Sequence, residues 1–179
     1  MTSPIPVVDP VAQPILDAFL AALEIEMAKV IDPPARVCLR PGDRVDLLIS
    51  QNEDECCSGL AWVRLAGIYP SVNFPVQDET YQKCPTGWGV QIELGAARCA
   101  PVGDENTLPT CDEWAEATNR TTADAAALRR TILRWKAMEE NRFRMFVPGG
   151  WLPLTTEGGC VGGAMLVTVN APYCDVLED

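Results

Sequence analysis

The chain has 179 residues, 47% of them apolar, which suits one domain with a real core. Its formal net charge is −11, from 25 acidic and 14 basic side chains, and this argues against a surface that grips nucleic acid through clustered Lys and Arg. Histidine is absent, so the commonest general base is missing and no Ser-His-Asp or Cys-His site exists within the chain.

The first basic residue is Lys29, so the opening residues have no positively charged region of the kind that begins a secretion signal. No apolar run approaches the ~20 residues that span a bilayer. A protein made and first used in a reducing cytosol, with no membrane partner, is expected.

Residues 1–10 carry Pro4, Pro6 and Pro10 and no periodicity, so 1–12 reads as an arm. A single domain is expected over 13–171, with 172–179 as a tail. A helix is predicted from Gln13 to Val30, with Pro14 in its first turn, where a missing N–H costs nothing. Ile15, Leu16, Phe19, Leu20, Leu23 and Met27 form one apolar stripe, while Asp17 and Glu24 mark the solvated side. Asp32-Pro33-Pro34 ends this helix.

Arg44–Ser50 and Leu60–Tyr69 read as two strands of a long hairpin, joined by the acidic turn Gln51–Gly59. Pro70–Pro85 is a loop. Trp88–Cys99 is the clearest strand. Trp88, Val90, Ile92 and Leu94 point one way and Gly89, Gln91, Glu93 and Gly95 the other, so one face is buried and one is wet. Thr110-Cys111-Asp112-Glu113 looks like a capping box opening a short helix. The main second helix is predicted from Thr121, as cap, to Met138, with Asp124 favouring its positive end and Leu128, Ile132 and Trp135 facing inward. From Gly149 to Val169 the chain reads as an edge segment, a glycine-rich turn and a closing strand.

Nothing in this order supplies a nucleotide loop, a Walker motif or a metalloprotease helix. The adjacent acidic pairs, Asp54-Glu55, Asp112-Glu113 and Glu139-Glu140, read as solvated surface, and no catalytic residue, cofactor or metal ligand is assigned. The eight cysteines form no Cys-x-x-Cys pair. Buried thiols acting as small hydrophobes are the first reading. Disulfides closed in an oxidising medium and a metal site from scattered cysteines are the alternatives.

The local wording resembles a known group. It lies in Cys56-Cys57-Ser58-Gly59-Leu60, Val63-Arg64, Tyr69-Pro70-Ser71 with Phe74-Pro75, and Glu93-Leu94-Gly95 with Arg98-Cys99-Ala100-Pro101. It continues in Asp124-Ala125-Ala126-Ala127-Leu128-Arg129, Trp151-x-Pro153-Leu154, Gly158-Gly159-Cys160-x-Gly162-Gly163 and Val167-Thr168-Val169. Over roughly residues 38–170 the chain is similar to tail terminator and head-to-tail connector proteins of long-tailed, siphovirus-like phages of actinobacteria. The arm and the Pro70–Pro85 loop go beyond a minimal tail terminator.

The resemblance implies an α+β fold, a mainly antiparallel β-sheet packed by two main helices in the order α-β-β-β-α-β. It implies a virion structural protein rather than an enzyme: a ring, usually hexameric, that caps the tail tube, ends its polymerisation and meets the head-side connector. The expected partners are further copies of the chain, the tail tube protein and the connector or stopper protein, with DNA passing through the lumen unbound. A head-completion, stopper or other neck adaptor protein is the runner-up. A carboxylate enzyme and a disulfide-stabilised secreted binding domain are readings from other classes. Assembly is expected in the host cytoplasm and final residence at the virion neck. The expected interface residues are Asp54, Glu55, Cys56 and Cys57 at the turn, Phe74 and Gln77 in the loop, Arg129 and Arg130 on the second helix, and Trp151. Cys99 ends one strand and Cys160 begins another, so their sulfurs meet in a disulfide if those strands pair.

Overall fold

A computed structural model describes residues 9–43, 58–79, 87–101, 103, 107–154 and 159–172. Helix α1 (Ala12–Met27) is followed by strands β1 (Arg36–Leu39), β2 (Leu60–Pro70) and β3 (Trp88–Cys99). Then come helix α2 (Cys111–Ala137), a 3₁₀ turn (Glu139–Asn141), β4 (Phe146–Pro153) and β5 (Cys160–Ala171). The strands form one sheet in the order β1-β2-β3-β5-β4. Every pair is antiparallel except β1 with β2. The fold is therefore α+β, with the expected element order and with β4 as the foreseen edge segment.

Three local expectations change. The predicted strand Arg44–Ser50 lies outside the described residues, and the place beside Leu60–Val63 is taken by β1, which runs parallel. The two predicted C-terminal helices are one: α2 is continuous because no Gly or Pro interrupts Cys111–Ala137. Thr121 is thus no cap, and its hydroxyl donates to the Ala117 carbonyl one turn back. Thr110 caps instead, in a full capping box with Glu113. Finally, α1 is shorter than predicted and starts under the Asp9 carboxylate, which accepts from the Val11 and Ala12 amides.

Both helices lie on one face of the sheet. The apolar stripe of α1 buries Ile15, Leu16, Phe19, Leu23 and Met27 against Val63, Val90, Ile92 and Leu94. From α2, Leu128, Ile132 and Trp135 complete this core with Val167 and Val169. Each such side chain contributes roughly 1.5–3 kcal/mol on burial. Trp135 stacks on Phe19 at 4.6 Å between centroids and meets Phe146 edge-on at 6.2 Å, so α1, α2 and β4 join at one aromatic cluster.

The opposite face is only partly wet. Leu60, Trp62, Ala97 and Cys160 form a second buried cluster there. The Trp62 ring lies across its register partner Gly95, and a Cβ at Gly95 would sit 2.1 Å from the ring. Glu93 fixes the ring from one side: its carboxylate accepts from Trp62 Nε1 at 2.9 Å and from Arg64 Nε and Nη2 at 2.7 and 2.6 Å. That pairing also holds the Arg64 guanidinium above its ordinary pKa. While Trp151 covers Gly163 on the helix-bearing face, Tyr69 covers Gly89 on this face in the same manner. Toward β4 this face leaves Val147, Leu152 and Leu166 exposed.

The outer edge of β4 is a poor template for another strand. Leu154 N–H donates to Gly162 and Asn170 N–H to Met145, which fixes the alternation of inward and outward positions. By that alternation Pro148 and Pro153 fall at outward positions, where they offer no N–H.

Gly95→Ala should lower the denaturation midpoint by about 1–3 kcal/mol equivalent, because the new methyl displaces Trp62. Urea unfolding followed by tryptophan fluorescence checks this. An unchanged midpoint would show that the Trp62 ring is not seated on Gly95.

Candidate functional site

The outer side of the helix pair is organised by one buried carboxylate. Glu26 is 3% exposed although it lies on α1. It accepts from Lys29 Nζ at 2.7 Å, Arg130 Nε at 3.0 Å and Arg134 Nε at 2.6 Å, and so ties α1 to α2. Burial disfavours its charge, but the hydrogen bonds from Lys29, Arg134 and Arg130 outweigh that cost and hold its pKa down at about 2. Of the two arginines expected at an interface, Arg130 is thereby engaged within the fold. Arg129 is exposed and makes no ion pair among the described residues.

Beyond α2 the chain turns tightly and presents an aromatic knob. Lys136 Nζ donates to the carbonyls of Asn141, Arg142 and Arg144 at 3.2, 2.9 and 2.5 Å. The buried Asn141 side chain donates to the Trp135 carbonyl at 3.1 Å. Phe143, at the outside of this pinned turn, is 89% exposed, with the Arg142 guanidinium 5.7 Å from its ring centroid. Leu133 and Met145 are also exposed. Six of the chain's 14 basic residues fall between Arg129 and Arg144. Glu139 and Glu140 are exposed in the same stretch, and Arg130, Arg134 and Lys136 are engaged within the fold, so Arg129, Arg142 and Arg144 are the cations nearest Phe143 that are not bound in those contacts.

A cleft of about 240 Å³ opens between the end of α1 and the first half of α2. Val30, Ile31 and Ala123 wall it, and Arg98 and Asp124 line it. Arg98 is a buried residue of β3 and forms a two-pronged ion pair with Asp124 of α2, both bonds 2.8 Å. Asp124 therefore sits mid-helix as a partner for the sheet, and does not serve a helix start. Gly59, at φ +83°, allows the Arg98 head to fit, because a Cβ there would lie 2.8 Å from Nη1. On the rim, Arg120 pairs with Glu116 at 2.6 Å and Asp32 at 3.7 Å.

The remaining expected positions are dispersed. Asp54, Glu55, Cys56 and Cys57 lie outside the described residues. Phe74 is half-buried and Gln77 exposed in a loop held by its own bonds, Tyr69 Oη to the Pro75 carbonyl and Ser71 Oγ to the Val76 carbonyl, each 2.8 Å. Trp151 is half-buried over Gly163. β3 and β5 pair as the disulfide expectation requires, and Cys99 and Cys160 are register partners. Both are disulfide-bonded, which departs from the thiol reading for these two residues, while Cys38 and Cys111 are free. Phe143 escaped the sequence reading. Its signal is an aromatic residue between two arginines just past the last inward-facing position of a helix.

Among the described residues no group of three or more Cys, Asp or Glu side chains is placed to hold a metal ion, and no helix is long and apolar enough to cross a membrane. The chain matches no protein-family model and no curated protein.

Glu26→Gln should cost about 1–3 kcal/mol at neutral pH. The folded pKa is depressed, so this contribution is complete above the unfolded value of about 4.3 and is lost as pH falls through about 2. Urea titrations of both proteins from pH 7 to pH 2 should therefore converge at the acid end; a difference independent of pH would reject the ionic clamp. Alkylation of the unfolded, unreduced protein should label Cys38 and Cys111 and spare Cys99 and Cys160 until reductant is added.

Proposed function

We propose that this chain is a structural protein of the neck or upper tail of a long-tailed phage. Copies close into a ring that caps the tail tube, ends its polymerisation and joins it to the head-side connector. The observation that carries the reading is the pinned Phe143 turn. Three carbonyl contacts from Lys136 hold the turn on which Phe143 stands exposed, with Leu133 and Met145 exposed as well. A rigid aromatic anchor beside arginines has the composition of an interface hot spot. The phage assignment itself rests on the sequence resemblance, and the α+β order is the one that resemblance implies.

The charge balance suits a ring through which DNA must slide. At −11 overall, a lumen wall repels phosphates and does not trap them. The ring works by shape and association, with no chemical step. Its outer faces meet the tube protein on one side and the connector or stopper on the other. A stopper or adaptor of the same complex would share every feature named here and differ in which of those faces it uses.

Light scattering at rising concentration, with negative-stain images of the same sample, tests this. The expected result is an open-centred ring, either alone or on added tail tubes. A chain that stays monomeric and also fails to bind tail tubes or connectors would overturn the reading.

A further inference from the structure

The Phe143 turn and the α1–α2 cleft stand at different ends of α2, roughly 25 Å apart along its axis by the helical rise from Arg120 to Ala137. One is a projection and the other a hollow. We propose that they are the two halves of a single junction: Phe143 of one copy enters the cleft of the next. The inference rests on the ring reading and gives it a specific contact.

Size and lining agree. A cavity of about 150 Å³ with apolar walls accommodates benzene; the cleft offers about 240 Å³ between Val30, Ile31 and Ala123. Ile31, at 95% exposure, is the apolar residue a docking ring would cover. The guanidinium groups of Arg98 and Arg120 line the same cleft and favour an aromatic face.

Charge agrees as well. Phe143 is flanked directly by Arg142 and Arg144 and follows the exposed Arg129, while the exposed Glu139 and Glu140 stand at the start of the same turn, so the cations are those nearest the ring. Asp32 and Glu116 line the cleft, and Asp112 and Glu113 lie one turn earlier on α2. The Arg120 pairs with Glu116 and Asp32 are exposed and weak, so an incoming arginine can share those carboxylates. Because Lys136 and Asn141 already fix the turn, docking orders little further chain. A projection and a hollow on separate patches make a head-to-tail contact, the kind that closes into rings when its rotation permits.

The test uses two variants of the full chain. Phe143→Ser removes the projection and leaves the cleft. Ala123→Leu fills the cleft and leaves the projection. Each should keep the wild-type circular dichroism and associate at least about thirty-fold more weakly, the loss typical of a hot spot. Mixed together, they share one intact junction, so they should form a 1:1 dimer and nothing larger by analytical ultracentrifugation. Should Ala123→Leu unfold, Glu116→Arg on the exposed rim replaces it, with the same expected outcome. Wild-type-like association by either variant, or a mixture that stays monomeric, overturns the junction. Open-centred rings built by the variants would do so while leaving the ring reading intact. A wild-type chain that is monomeric at millimolar concentration also overturns it, and binding to tail tubes then decides separately whether the ring reading survives.

Discussion

Trp135 is clamped between Phe19 and Phe146, and through these contacts two helices and an edge strand meet at a point with no solvent exposure at Trp135. The same residue reaches outward through its backbone, since its carbonyl accepts from the Asn141 side chain. The turn that carries Phe143 is therefore tied to the aromatic cluster of the core. A loop fastened this way moves with the core, so the backbone that carries Phe143 is held in place. Loosening the aromatic cluster would cost the exposed surface its geometry before it cost the chain its fold.

The charges follow a second, simpler rule. Those that are buried are paired: Asp124 with Arg98, and Glu26 with three cations. On α2 itself, Asp112 and Glu113 stand in the first turn and Arg134 and Lys136 in the last. This distribution complements the helix dipole.

Much of the fold was legible in the sequence. Trp88–Gly95 alternates in sequence, and Trp88–Cys99 is a strand over the predicted residues. The stripe of α1 lies inward, and Leu128, Ile132 and Trp135 do too. What could not be read was long-range pairing. Asp124 looked like a helix-start residue because acids favour such places; only the fold brings Arg98, 26 positions away, to its side. Nothing in the sequence singled out Glu26, because its partners Arg130 and Arg134 lie more than 100 residues on. The four-residue β1 was invisible because it follows two prolines and is too short to show a period. The candidate site was half legible. Its arginines stood out by density, whereas the exposure of Phe143 depends on how a short turn leaves α2.

Strand β5 is the last of the five in sequence, yet it lies between β3 and β4. Its twelve register pairs with β3 close a gap that runs from Cys99–Cys160 to Trp88–Ala171. Until it arrives, β3 has a long free edge rich in valine, isoleucine and leucine positions, and β4 has nothing to pair with. Contacts so distant in sequence form slowly. A nascent chain thus passes through a stage in which its middle is a sticky margin, open to neighbouring nascent chains as readily as to its own final strand. Yield of the folded chain would then depend less on the stability of the finished domain than on crowding during that interval. Slow synthesis at low temperature would favour the correct partner, and dense expression the wrong one.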